Sequence, residues 1–150
     1  MYKKILVPVD GSVASVRGLE EAIEFAQATG ATLALVHVVD EFVIAAREAP
    51  AVWQGLAAAL RESGEKVLAD AEAAVRKHNV PFTSELLKAT GGGAAGAIID
   101  QAKKMSTDLI VMGTHGRRGL RRLTLGSDAE MVLRSSPVPV LMVRDEVEPS

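Results

Sequence analysis

Apolar residues along this chain alternate between short runs and longer stretches of helical spacing. The first run is Ile5-Leu6-Val7-Pro8-Val9, a length that suits a buried strand. After it, Ser12 is placed to cap a helix whose Val16, Leu19, Ile23 and Ala26 share one face. Gly30 stands where a helix C-terminal glycine belongs. Ala31 to Val39 reads as a second strand ending at Asp40, and Glu41 to about Gln54, without clear period, reads as an insertion or lid-like loop. A second helix is expected from about Leu56 to His78, with Leu60, Val67, Leu68, Ala71 and Val75 on one side. Phe82 to Leu87 mixes polar and apolar residues, as an edge strand does. A glycine cluster then leads into a third helix through Ile98, Ile99 and Ala102; Leu109-Ile110-Val111-Met112 forms a fourth strand closed by Gly113. A helix near Ala129 to Arg134 precedes the last apolar run, Pro137 to Val143.

Strands alternating with helices predict an α/β fold on a parallel sheet. The 150 residues suit one domain, taken as 1–144 with a polar tail at 145–150. Hydrophobic residues make up 48%, yet only five are aromatic, so Ala, Val, Leu and Ile must supply the core. The absence of cysteine excludes disulfides, a thiol nucleophile and zinc-thiolate sites. The opening apolar run is too short for a signal peptide or a membrane span, so the cytoplasm is the expected location. A net charge of -2 gives no global attraction to nucleic acid or to an anionic membrane, and neither is expected as a partner. The last strand, apolar and expected at a sheet edge, predicts a homodimer paired through Val138 to Val143.

Two glycine-rich segments are candidate phosphate loops. Gly91-Gly92-Gly93-Ala94-Ala95-Gly96 fits G-x-G-x-x-G, but it follows the third strand and has no acidic ribose-binding partner about twenty residues later. It reads more simply as a flexible helix entry, and Ala97-Ile98 in place of Lys-Ser/Thr excludes a P-loop. The segment from Gly113 to Ser127 begins at a strand's carboxyl end and finishes at a helix N-terminus, where free N–H groups and the helix dipole favour phosphate. Four of the chain's ten arginines, Arg117, Arg118, Arg121 and Arg122, lie between Gly116 and Gly126 with no acidic residue among them. By composition alone these arginines are a solvated loop; their position makes them a local anion signal, with Arg117 nearest the strand end. Asp10, ending the first strand, would face the same crevice, either accepting from a ribose or base or capping the next helix. His115 has no partner carboxylate in sequence reach, and His37 and His78 read as structural, so no catalytic residue and no protein metal site is assigned.

The chain resembles the universal stress protein family, of the ATP-binding type. Gly113, Gly116, Gly126 and Ser127 match that family's signature G-x2-G-x9-G-[S/T] without a gap. The segments Ile5 to Ser12, Asp108 to Gly113 and Ser136 to Val143 are similar to its strands and turns. The resemblance implies a three-layer, Rossmann-like fold with a five-stranded parallel sheet of order 3-2-1-4-5, dimerising through the last strand. It implies that Pro8, Val9 and Asp10 contact adenosine, with backbone at Val38 or Val39 near the base. Met112, Gly113, Gly116, Gly126 and Ser127 would surround ribose and phosphates of ATP, or of ADP or AMP, with Mg²⁺ arriving on the nucleotide. Asp128, where many relatives carry a small or apolar residue, either points outward, holds a bridging divalent ion, or weakens ATP relative to AMP. The expected function is a nucleotide-dependent switch of the stress response with at most slow ATP hydrolysis, read by an unidentified protein partner. Its competitors are a dimeric interaction protein that has lost nucleotide and an adenylyl- or phosphoryl-transferring enzyme; the latter is disfavoured because Asp10-Gly11-Ser12-Val13 lacks a pyrophosphate loop.

Overall fold

The structure, a computed structural model, describes residues 1–41, 50–89, 91–115 and 125–144. Among the described residues five strands and four helices alternate: β1 (Lys4–Pro8), α1 (Val13–Thr29), β2 (Thr32–Val39), α2 (Pro50–Arg76), β3 (Phe82–Lys88), α3 (Gly93–Lys104), β4 (Leu109–Gly113), α4 (Ser127–Ser135) and β5 (Val140–Val143). Their sheet is parallel throughout, in the order β3-β2-β1-β4-β5. The sheet order and fold class expected from the resemblance are therefore those found.

Strand alternation divides the core into two layers. Ile5, Val7, Leu33, Leu35 and Val111 face α1 and α2, meeting Leu19, Ile23, Val67, Ala71 and Val75. Leu6, Ala34, Val36, Ile110 and Met112 face α3 and α4, meeting Ala95, Ile98, Ala129 and Val132. Both faces of the central strands are covered, which is why they read as continuous apolar runs rather than alternating ones.

Helix boundaries follow local chemistry. The Ser12 hydroxyl accepts the Ser15 N–H at the start of α1, and Gly30 ends it with φ 76°, a left-handed conformation that suits glycine. Within the expected loop Glu41 to Gln54, a helix already begins at Pro50 and includes Trp53, while residues 42–49 lie outside the described residues. Proline at a helix start loses no hydrogen bond, since that N–H would be unpaired anyway. Glu41 is buried, its carboxylate held by Arg61 (2.8 Å) and Lys88 (3.6 Å), so this junction is an anchored strand end. The edge position of β3 matches its exposed Thr83, Ser84 and Glu85. β5 begins at Val140, later than the apolar run suggested, and the tail at 145–150 lies outside the described residues.

Candidate functional site

The strand order reverses its sense between β1 and β4, which leave the sheet's centre in opposite directions. Open parallel sheets bind ligands at such a point, outside the carboxyl ends of the strands. Here the β1–β4 register runs through Ile5–Leu109 and Leu6–Ile110, whereas β1 stays registered with β2 as far as Pro8–Val36. Pro8, Val9 and Asp10 complete one side of this end, and Met112 and Gly113 the other. Met112 and Val38 belong to the α3/α4 side of the sheet, Met112 buried and Val38 half-buried.

Hydrogen bonds between loops join these strand ends. The Asp10 N–H donates to Ser15 Oγ (3.0 Å), and Asp10 Oδ1 accepts the Ser12 N–H (2.8 Å). The Asp10 side chain is therefore braced through one oxygen, and Oδ2 has no partner among the described residues. Ser12 Oγ, besides capping α1, donates to the His115 carbonyl (3.3 Å), tying the β1–α1 turn to the exit of β4. The Thr114 N–H donates to the Val143 carbonyl (3.0 Å), and the Thr114 carbonyl accepts the Gly126 N–H (2.8 Å). By this chain of bonds the start of α4 is fixed beside the end of β4.

Gly126 is the N-cap of α4, extended at φ -61°, ψ 156°, and no side chain among the described residues caps the helix. The leading N–H groups, unpaired within any α-helix, are thus left free of a competing side chain. Ser127 is exposed at the first helical position, and Asp128 beside it is exposed in a first turn that also holds Glu130. Acidic groups there complement the helix dipole, which gives Asp128 a structural reason to be present. Gly113 has a steric duty: a Cβ on it would stand 2.6 Å from the Ala14 carbonyl carbon and 2.8 Å from Ala14 Cβ. Its lack of a side chain lets α1 lie on the end of β4. Gly116, Arg117 and the other loop arginines lie outside the described residues.

The structure thus brings Asp10, Met112, Gly113, Gly126 and Ser127 to one end of the sheet, with Pro8, Val9 and Val38 along its β1–β2 side. Ser15, Thr114 and the second bond of Ser12 were missed in the sequence, where only the helix-capping role of Ser12 has a local signature. The ring of His115 contacts Thr114 (Nδ1 to Oγ1, 3.1 Å), and its buried Nε2 has no hydrogen-bond partner among the described residues. Among the described residues no three His, Asp or Glu side chains converge to hold a metal ion, and no helix is long and apolar enough to cross a membrane. A groove of about 510 Å³ opens between α1 and α2, with Val9, Val16, Leu19 and Val67 among its walls.

This geometry has close counterparts. The sequence matches the universal stress protein family over residues 1–144. It is 35% identical to universal stress protein MJ0531 of Methanocaldococcus jannaschii, over 96% of this chain and 83% of that one. A universal stress protein of Thermus aquaticus is 39% identical, over 96% of this chain and all of its own length. The solved structure of MJ0577, also from M. jannaschii, superposes with a TM-score of 0.85 at 27% identity, covering 99% of both chains. Three more distant structures, each with a TM-score of 0.69, share the fold and were solved with nucleotides. They are a universal stress protein with cAMP (22% identity, 97% of this chain and 98% of that one), the Archaeoglobus fulgidus protein with dAMP (23%, 95% and 98%) and an Arabidopsis thaliana family protein with AMP (14%, 97% and 93%). With the family's sheet order and a match spanning nearly the whole sequence, the chain belongs to the universal stress protein family.

Proposed function

We propose that this protein binds an adenine nucleotide, ATP or one of its shorter relatives ADP and AMP, across the carboxyl ends of β1 and β4 and acts as a nucleotide-dependent switch in the cytoplasmic stress response. The observation that carries this reading is the start of α4, which no described side chain caps, fixed by the Gly126–Thr114 bond beside the end of β4, to which Ser12 ties the turn after Asp10. Phosphate suits those N–H groups and the positive end of the helix dipole. The spare Asp10 oxygen suits a ribose hydroxyl or an amino group, both of which donate. Adenosine then lies against Pro8, Val9 and Val38. Ribose and phosphates lie against Met112, Gly113, Gly116, Gly126 and Ser127, with Arg117 adding positive charge. The nucleotides named for three family structures support the same ligand class.

The site's residues bind and orient; none is assigned a hydrolytic step. In this reading any Mg²⁺ arrives on the nucleotide, held by its phosphates. A bound nucleotide would bridge the β1–α1 turn and the start of α4, altering the surface that a partner protein reads. The same reading includes a homodimer through the edge strand β5. There Val140, Leu141 and Met142 are only half-buried, and Met131 and Leu133 of α4 are exposed.

Gly126→Val tests the site. Its backbone at φ -61° suits any residue, so the folded protein should persist while the added side chain blocks phosphate approach. Calorimetry should show nucleotide binding in the wild type and none in the variant; unchanged affinity would place the site elsewhere.

A further inference from the structure

His37 has no part in the site as described, yet it holds one of the site's backbone groups from behind. It lies on β2 after Leu33 and Leu35, on the face that looks toward α1 and α2 and away from Val38 and Met112. Its Nδ1 is 2.7 Å from the Val9 carbonyl oxygen. A carbonyl can only accept, so Nδ1 carries the hydrogen and donates it. The Val9 N–H in turn donates to the Val36 carbonyl (2.8 Å). Val9 is thereby fixed on both sides, by the backbone of β2 through its N–H and by a β2 side chain through its carbonyl.

The fixed carbonyl belongs to the peptide that joins Val9 to Asp10. β1 ends at Pro8, and beyond the Val9 N–H side chains replace the strand ladder: His37 for the Val9 carbonyl, Ser15 for the Asp10 N–H. The other side of the imidazole rests on α2. A Cβ on Gly64 would stand 2.7 Å from Cδ2 and 3.1 Å from Nε2 of His37. The ring therefore fills the distance from α2 to the end of β1, and only glycine at position 64 leaves room for it.

We infer that His37 is a positioning residue for the adenosine half of the nucleotide site, acting through the Val9–Asp10 peptide from the opposite face of the sheet, with Gly64 seating its ring. This rests on the adenine-nucleotide reading above. A side chain that fills the same space without donating leaves that peptide held only through its Asp10 N–H, by Ser15 Oγ, so its orientation is looser and the Asp10 carboxylate is less often where a ribose or base can use it. The phosphate half is anchored separately, by the start of α4, and does not depend on the ring.

The test is calorimetric titration of the whole protein with AMP and with adenosine, in the wild type and in His37→Leu, His37→Asn and Gly64→Ala. The wild type should bind both. His37→Leu should weaken both by the same factor, roughly five- to tenfold, the scale of one hydrogen bond. His37→Asn, whose amide N–H sits near the position of Nδ1, should recover most of the loss. Gly64→Ala, whose added Cβ would press on the ring from α2, should weaken both ligands as well. Unchanged affinity in His37→Leu, a loss confined to AMP, or an equal loss in His37→Leu and His37→Asn would each overturn the inference. A wild type that binds neither AMP nor adenosine would overturn the role of His37, and one that binds none of ATP, ADP and AMP would overturn the nucleotide reading with it.

Discussion

Gly113 shows how one residue can serve a family signature and a packing need at once. In the sequence it opens the glycine pattern expected around phosphate, but its missing side chain is where α1 comes to rest, within 2.6 Å of an added Cβ. Gly113→Ala should therefore cost stability, about 1–3 kcal/mol as overpacking does, and thermal unfolding of the variant measures it. Wild-type stability would show that α1 can shift freely. Asp108 is a second residue whose duty is local and polar. Its carboxylate accepts the backbone N–H groups of Lys4 and Lys3, and these bonds hold its pKa below the ordinary 3.8. A lowered folded-state value means that the stabilisation is complete above 3.8 and is lost as pH falls through the folded value. Asp108→Asn should thus unfold more easily than wild type at neutral pH, with the difference shrinking in acid. A gap that is constant with pH would contradict this. Neither role was legible beforehand, because Lys3 and Lys4 stand more than a hundred residues from Asp108 and meet it only through the β1–β4 pairing.

Elements were more legible than contacts. Apolar runs gave all five strands, and Ser12 and Gly30 bounded α1 because caps and left-handed stops are local chemistry. The start of α2 was missed although Pro50 carries a helix-start signal, since the residues before it lack a period and Ala57 is the first of the helix to be buried deeply. The start of α4 lay two residues earlier than its apolar spacing suggested, and that difference puts Ser127 and Asp128 inside the first turn. There Asp128, like Glu130, serves the helix but opposes added phosphate. Asp128→Ala should slightly destabilise α4 while raising affinity for ATP relative to AMP, roughly two- to fivefold, the scale of one charge at an exposed helix end. Parallel titrations with the two nucleotides measure the ratio. An unchanged ratio would mean that the Asp128 carboxylate is turned away from the phosphates.

At the scale of the molecule, the sheet order fixes both the crevice and the liability. Placing β1 and β4 side by side creates the ligand end, and placing β5 outermost leaves an apolar strand half-covered. Light scattering at micromolar concentration should report two 15.8 kDa chains per particle; a monomer would remove the β5 pairing from the account. The crevice itself was readable as a place, because the signature residues mark strand and helix ends, but the bonds that assemble it were not. Ser12 to His115 and His37 to Val9 join residues 103 and 28 positions apart, and only the folded sheet brings them together. The central claim is that this assembled end holds an adenine nucleotide, and calorimetric titration of the whole protein with ATP, ADP and AMP tests it most directly. Saturable binding of at least one of them, abolished by Gly126→Val in a protein that remains folded, is the expected result; no heat and no thermal shift with any of the three would contradict it.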